Sequence, residues 1–230
     1  MNKIKLTYDE SRMFIHSLAN YQDLDIQVDS KRDAIVGYDS AQTKVFDFKF
    51  PICYPPTLSN KLSSFIEKIP QKPMPFLVLL VQAGHSAMGY FEEGEVIFHK
   101  VIKKYMVRKK QGKAQLSFLK TRGKSRLGSR IRLANSIAFF EDINTKLTQW
   151  EAKTADEKMI LYSCSAQLWG LLFKSKVSPP FDRKSNFLRK VSRNGNQPGY
   201  EELLRTGRYA TYGFIYLYQE YDLSLSNIKG

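Results

Sequence analysis

The segment FLVLLVQAG, from Phe76 to Gly84, is the feature that most limits how this chain can fold. An apolar run of this length suits a strand that is buried on both faces in the middle of a sheet. Two more strand-like runs follow it, and Glu93-Gly94 between them predicts a tight hairpin. The chain has 230 residues, of which 43% are hydrophobic, enough for one domain or for one domain with an attached subdomain.

The rest of the chain contains further strand and helix patterns. Residues 1–72 predict a small mixed α/β region, and IPQKPMP indicates a linker after it. A long amphipathic helix is predicted to follow Gly128-Ser129, and SPPFDRKSNFLRKVSRNGNQPG is interpreted as an irregular basic connection. We therefore expect an α/β fold in which a mixed twisted sheet of about five strands is flanked by helices, within a domain spanning residues 73–230. The apolar face of the long helix is predicted to contain Ile131, Ala134, Ile137, Ala138, Ile143, Leu147 and Trp150.

Positive charge is concentrated in one part of the chain. The formal net charge is +14, and residues 96–140 contain 13 lysines and arginines but no aspartate or glutamate. The other 23 basic residues are balanced by 22 acidic ones. Such an uncompensated stretch repels itself unless a polyanion binds it, and the phosphates of a nucleic acid are the obvious polyanion. Residues 109–128 show no apolar period, which predicts a long exposed basic loop of the kind that usually carries function.

Several familiar chemistries do not fit these residues. Gly123-Lys124-Ser125 lacks the upstream glycine of a phosphate-binding P-loop, because Phe118 stands in its place. The three histidines and two cysteines have no metal-ligand spacing, so no metal and no cofactor is expected, and both cysteines are interpreted as free thiols. The N-terminus has no signal core and no apolar run suits a membrane span, which favours a cytoplasmic protein.

The basic loop and its flanks resemble a known family. HKVIKKYMVRKKQGKAQ (His99 to Gln115) and LGSRIRLANS (Leu127 to Ser136) are similar to the central domain of the Vms-like release factor family (VLRF). That domain is itself similar to the catalytic middle domain of eukaryotic and archaeal class I peptide-chain release factors. The resemblance extends from about Pro73 to Tyr221 and indicates a minimal, bacterial form. The sequence departs from the family pattern at Lys113-Ala114, Leu116, Leu133 and Ser136.

The resemblance implies a ribosome-associated factor that acts on peptidyl-tRNA held by stalled large ribosomal subunits. Its partners would be the large subunit, ribosomal RNA and peptidyl-tRNA, and the cut would lie near the CCA end of the tRNA. The bond is left open: ester hydrolysis would make the protein a peptidyl-tRNA hydrolase, and phosphodiester cleavage would make it a tRNA endonuclease. Gln115 would be the catalytic residue, because its amide can donate and accept hydrogen bonds at once and so orient a water or a ribose 2′-hydroxyl.

The remaining residues of the loop are interpreted as its scaffold. Gly112 and Gly128 would shape the backbone, since glycine allows tight turns beside RNA. A long basic loop of this kind suits entry into the peptidyl-transferase centre, with its cations neutralising phosphates. The expected RNA-binding residues are Arg108, Lys109, Lys110, Lys113, Lys120, Arg122, Lys124, Arg126, Arg130 and Arg132.

Three other functions are compatible with the same loop. A non-catalytic ribosome-binding factor of the hibernation type would occupy the subunit without chemistry. A general RNA-binding domain would bind any structured RNA with comparable affinity. A membrane-surface protein ranks last, because cations interrupted by glycine and glutamine do not form an amphipathic helix.

Overall fold

The computed structural model describes residues 2–30, 32–55, 61–105, 127–192, 196–218, 221 and 223, and for residues 127–133 it describes the backbone alone. The described residues form two five-stranded sheets and five α-helices, which confirms the expected α/β class. The sequence predicted one sheet of about five strands, and the described residues form two. The strands are β1 (Asn2–Leu6), β2 (Asp25–Asp29), β3 (Ala34–Tyr38), β4 (Lys44–Lys49), β5 (Phe76–Gln82), β6 (His85–Glu92), β7 (Glu95–Lys103), β8 (Met159–Ser163), β9 (Leu188–Lys190) and β10 (Gly213–Leu217). The helices are α1 (Tyr8–Ser17), α2 (Leu62–Ile66), α3 (Leu127–Glu151), α4 (Ala166–Phe173) and α5 (Tyr200–Ala210).

The chain divides into two compact units, and the division does not follow the expected boundary at residue 73. The first unit comprises Met1–Phe76, Glu92–Glu95 and Thr206–Gly230. Its sheet has the order β1-β10-β4-β3-β2, with β10 antiparallel to both of its neighbours. The last described strand, β10, therefore belongs to the N-terminal sheet. The sequence prediction had placed it in the 73–230 domain instead. Local patterns predict that a strand exists but not which distant strand it pairs with.

The first unit is held together by aromatic packing between α1 and its sheet. Thr7 and Glu10 form a capping box at the start of α1, which fixes where that helix begins. The ring of Phe14 on α1 packs edge to face with Phe46 and Phe48 on β4, at centroid distances of 5.7 and 5.1 Å. All three of these side chains are completely buried, so they form the core on this side of the sheet.

The second unit comprises Leu77–Phe91 and Val96–Arg205. Its sheet has the order β7-β6-β5-β8-β9, so β5 is the central strand that the apolar run predicted. The predicted hairpin after β6 is also confirmed, because Glu93 and Gly94 both have positive φ angles, 51° and 88°. The short strand β9 was not predicted; it pairs in parallel with β8 inside the connection interpreted as irregular.

The long helix α3 buries part of the face predicted for it: Ile143, Leu147 and Trp150 are buried as expected, but two residues nearer its N-terminus are not. Ile137 was placed on the apolar face, but its side chain is 49% exposed, and Ala134 is also exposed. The buried face is shifted towards Phe139 and Phe140, which pack against the central strand of the sheet. The ambiguity arises because this helix carries apolar residues on more than one side, so helical spacing alone admits two faces. The core of the second unit contains Leu77, Leu79, Val81, Met88, Phe139, Phe140, Ile143, Leu147, Trp150, Ile160, Leu168, Trp169 and Leu172.

Candidate functional site at the base of the predicted loop

Most of the expected site residues lie outside the described part of the chain. Gln115, Gly112 and the expected RNA-binding residues from Arg108 to Arg126 fall within residues 106–126. Gly128, Arg130 and Arg132 lie in the first turns of α3, where the backbone alone is described. Gly128 was expected to shape the loop, but the helix begins at Leu127, so Gly128 has helical backbone instead. The structure therefore describes the two chain ends that flank residues 106–126; we call their contact region the loop base, made of Gly84, Lys104, Tyr105, Asn135 and Asp142.

The N-terminal side of the loop base is fixed by Lys104, directly after β7. Its backbone N–H donates a hydrogen bond of 2.9 Å to the carbonyl oxygen of Gly84. Gly84 lies in the turn between β5 and β6 and has a φ angle of 77°, a conformation that favours glycine. The ammonium group of Lys104 also lies 2.8 Å from Asp142 Oδ2 on α3. The chain that leaves β7 is thus held both by the neighbouring turn and by the helix to which it returns.

A hydrogen bond between Asn135 and Tyr105 joins the two sides directly. Asn135 Nδ2 donates to the backbone carbonyl oxygen of Tyr105 at 3.0 Å, from α3 to the last described residue before position 106. The Tyr105 side chain itself is 58% exposed. The chain before residue 106 and the helix after residue 126 therefore start from fixed positions beside each other.

The helix α3 is in turn anchored in the core of its unit. The side-chain amide nitrogen of Asn144 donates two hydrogen bonds. One goes to the carbonyl oxygen of Leu172, in the last turn of α4, at 2.8 Å, and the other to that of Val177, after α4, at 2.7 Å. Asn144 is completely buried, so these bonds hold α3 against the end of α4 in a place that water does not reach. The position of Asn135 on the same helix follows from this anchor and from the packed side chains Phe139 and Phe140.

Polar contacts also hold the later basic connection against the β5–β6 turn. Gln197 Nε2 lies 2.6 Å from His85 Nε2, and His85 Nδ1 lies 3.4 Å from the carbonyl oxygen of Ala83. The two contacts fit one tautomer, in which Nδ1 carries the proton and Nε2 accepts a hydrogen bond from the Gln197 amide. Gln82 Nε2 donates to the Asn196 carbonyl oxygen at 3.0 Å. His85 thus has a structural role here.

The cysteine of this unit, Cys164, is not poised to act as a nucleophile. Burial raises the pKa of the Cys164 thiol to about 12, which keeps the thiol protonated near neutral pH. Among the described residues, no group of three histidine, cysteine, aspartate or glutamate side chains is arranged to hold a metal ion. No described helix combines the length and the apolarity that a membrane crossing requires. What the loop base can do is position the chain on both sides of residues 106–126.

The sequence patterns predicted the basic segment but not the residues that hold the chain on either side of it. Asn135 was noted only as a match to the family pattern, and neither Asp142 nor Gly84 was singled out. Their roles depend on which strand end, turn and helix face come together in the folded unit. The signals that existed were the glycine at the β5–β6 turn and the polar Asn-Ser pair at Asn135-Ser136, which interrupts the apolar run of α3 on the N-terminal side of Phe139.

Curated proteins with similar sequences include the tRNA endonuclease ANKZF1 of Mus musculus, 27% identical over 136 residues, and that of Homo sapiens, 28% identical over 137 residues. Each alignment covers 58% of this chain but only 18% and 19% of the respective relatives, so the chain matches less than a fifth of their length. Among solved structures, the Vms1 mitochondrial localization core has a TM-score of 0.51 at 13% identity and covers 93% of this chain and 85% of its own. At that identity the likeness shows a shared fold.

A family model gives the more specific result. The model described as the Bacteroidetes VLRF1 release factor matches residues 76–215, from β5 to the middle of β10. That range contains the loop base and the whole of residues 106–126, and it accounts for more than half of the chain. The resemblance drawn from the residues around Gln115 is confirmed, and this chain belongs to the Bacteroidetes VLRF1 release factor family.

Proposed function

We propose that this protein cuts peptidyl-tRNA on stalled large ribosomal subunits, with Gln115 delivered to the tRNA CCA end by residues 106–126. The observation that carries the proposal is the loop base. Asn135 and Lys104 fix both ends of a stretch that contains eight lysines and arginines, no acid and the family's glutamine. A basic segment with fixed ends can reach into RNA while its tip is still aimed by the folded unit.

In this proposal the cations and the glutamine have separate tasks. Arg108, Lys109, Lys110 and Lys113 neutralise phosphates beside Gln115, and the basic residues from Lys120 to Arg132 hold the returning chain on RNA. Gln115 does not titrate, so it acts by orienting the attacking oxygen rather than by removing its proton. Gly112 supplies the backbone freedom that a tight approach to RNA requires.

Two bonds are candidates, and they lead to different products. If water attacks the ester, the products are a free peptide and a tRNA with an intact CCA end. If a tRNA phosphodiester is cut, the peptide leaves with terminal nucleotides attached and the tRNA is shortened. The two mammalian relatives are named tRNA endonucleases, which supports the second outcome for this chain.

The test is to map both products after incubation with purified large subunits that carry peptidyl-tRNA. A shortened tRNA is expected, and its 3′ end can be sequenced directly. An intact CCA end together with released peptide would replace the endonuclease reaction by ester hydrolysis. An unchanged peptidyl-tRNA would refute the enzymatic proposal.

A non-catalytic ribosome-binding role is the second candidate. The departures Lys113-Ala114 and Leu116 beside the key glutamine favour it, because they change the immediate surroundings of Gln115. This role predicts tight binding to large subunits with no change in the peptidyl-tRNA at any protein concentration.

A further inference from the structure

A regular row of aromatic rings lies on one face of the first unit's sheet. Alternate residues along a strand point to the same face, and every second residue in and beside β10 is aromatic. Each ring has a lysine ammonium above it. Lys5 lies 4.1 Å from the centroid of Tyr212, Lys3 lies 4.3 Å from that of Phe214, and Lys44 lies 4.8 Å from that of Tyr218. The fourth ring, Tyr216, is approached by Lys3 at 5.4 Å and by Lys49 at 5.5 Å.

Pairing with the two neighbouring strands produces this arrangement. Lys3 and Lys5 on β1 lie opposite Tyr216 and Phe214 on β10, and Lys49 on β4 lies opposite Phe214 from the other side. The intervening residues Leu6 and Ile215 are completely buried and point into the core. The lysine–aromatic row is therefore the face of β1, β10 and β4 opposite that core, and we call it the lysine–tyrosine face.

Three of the lysines on this face have no acidic partner among the residues that the structure describes. Asp47 is the nearby buried carboxylate, and it is already held by Lys44 at 2.7 Å, by Tyr218 at 2.8 Å and by Arg32 at 3.5 Å. In the described chain, no carboxylate lies within salt-bridge distance of Lys3, Lys5 or Lys49, and all three side chains are exposed. Lys3 and Lys5 are about 7 Å apart along β1, twice the rise per residue of a strand, and Lys49 adds a third positive charge on the other side of β10.

The chemistry of the face fits RNA better than an apolar partner. Exposed ammonium groups disfavour contact with an apolar protein surface, because the charges would lose their water. Phosphates satisfy those charges, and the partly exposed rings of Tyr212 and Tyr216 become stacking surfaces for bases once the lysines turn towards phosphate. Phe214 is only 7% exposed, so its ring is not available for stacking with a base.

We propose that the lysine–tyrosine face is a second RNA-binding surface, which binds unpaired RNA through phosphate contacts of Lys3, Lys5 and Lys49 and stacking on Tyr212 and Tyr216. Strands β1 and β4, which supply the three lysines, lie outside the range that the family model matches. This surface gives the N-terminal region a role in RNA binding. It rests on the proposed function only for the identity of the RNA, which would be ribosomal.

The test measures binding of a fluorescein-labelled oligouridylate to the full chain and to a K3Q/K5Q/K49Q variant. Loss of three phosphate contacts should weaken binding about tenfold or more. It should also make the fall of the logarithm of the association constant with the logarithm of the salt concentration less steep, by about two units of slope. A K3R/K5R/K49R variant keeps the charge and should bind like the wild type. A K68Q/K153Q/K174Q variant removes the same charge from three other exposed positions and should also bind like the wild type.

The proposal is overturned if K3Q/K5Q/K49Q binds as tightly as the wild type, or if K68Q/K153Q/K174Q loses as much affinity, which would make the effect one of net charge. It is also overturned if the triple glutamine variant loses binding to phosphatidylserine-containing vesicles while RNA binding is unchanged, since the face would then serve a membrane surface. The outcome is separable from the proposed function. A wild-type protein that never cuts peptidyl-tRNA but binds oligouridylate through the three lysines would refute the enzymatic role and support this surface.

Discussion

The side-chain amide of Asn135 donates a hydrogen bond of 3.0 Å to the backbone carbonyl of Tyr105, linking positions 30 residues apart in sequence. This bond joins the two ends of the chain that flank residues 106–126, as the ion pair between Lys104 and Asp142 also does. A hydrogen bond of this kind contributes about 1 kcal/mol, which corresponds to about a fivefold change in the population of the joined state. The chain ends on either side of residues 106–126 are therefore held by a residue that lies outside that segment.

Asn135→Ala should lower the rate of peptidyl-tRNA cleavage about fivefold or more while leaving the fold intact. The reason is that the hydrogen bond between the two chain ends is lost, so that a smaller fraction of molecules holds Gln115 in the position that cleavage requires. Single-turnover cleavage on stalled subunits measures the effect, with thermal unfolding as the check on stability. Asn186→Ala, at an exposed asparagine outside the loop base, is the control and should cleave at the wild-type rate. Equal rates for the two variants would remove Asn135 from the positioning role.

Asn144→Leu should destabilise the second unit by about 2 kcal/mol or more. The substitution leaves the carbonyl oxygens of Leu172 and Val177 without the donor that now reaches both of them. Denaturant unfolding measures the loss. Thr145→Ala, at the exposed neighbouring position on α3, should change the free energy of unfolding by no more than about 0.5 kcal/mol. An Asn144→Leu variant as stable as the wild type would show that the helix is anchored by packing alone.

Asp47 should make the stability of the first unit depend on pH in the acid range. Burial by itself would raise the pKa of this carboxyl, but hydrogen bonds from Lys44 and Tyr218 and the nearby Arg32 hold it below its usual value. Since the folded pKa is the lower one, ionised Asp47 stabilises the fold fully above its unfolded pKa of about 3.9. That contribution is lost as the pH falls through the folded value.

The difference in unfolding free energy between the wild type and Asp47→Asn should therefore shrink as the pH falls from about 6 to about 3. Chemical unfolding at several pH values measures it. Asp25→Asn, at an exposed carboxylate, is the control and should show a much smaller dependence. A difference that stays constant over this range would mean that the charge of Asp47 does not contribute.

The two cysteines should be unreactive in the folded protein. Both are free and buried, and burial raises the pKa of Cys53 and of Cys164 to about 12. At about pH 8 the thiolate fraction of such a group is on the order of one in ten thousand, whereas an ordinary thiol is substantially ionised. A thiol-specific colorimetric reagent should thus label both residues in denaturant and neither in native protein. Rapid labelling of one cysteine under native conditions would contradict its burial.

The sequence predicted the elements whose signals are local. The strand β5, the Glu93-Gly94 hairpin and the existence of α3 were all visible as an apolar run, a turn pair and a helical period. The partners of β10 and the exposure of Ile137 on α3 were not, because both depend on contacts between segments far apart in sequence. The same limit applies to the loop base, where Lys104, Asn135 and Asp142 meet only after the strand and helix are placed.

Substitution of Gln115 separates cleavage from binding, because the proposed role of this residue is to orient the attacking oxygen. Gln115→Ala should bind stalled large subunits with wild-type affinity, since the cations supply binding, but should cleave their peptidyl-tRNA at least a hundredfold more slowly, on the order of the loss seen when a positioned catalytic group is removed. Binding is measured by co-sedimentation with the subunits, and cleavage by single-turnover kinetics on the same preparation. Cleavage by Gln115→Ala at the wild-type rate would show that Gln115 is not the catalytic residue.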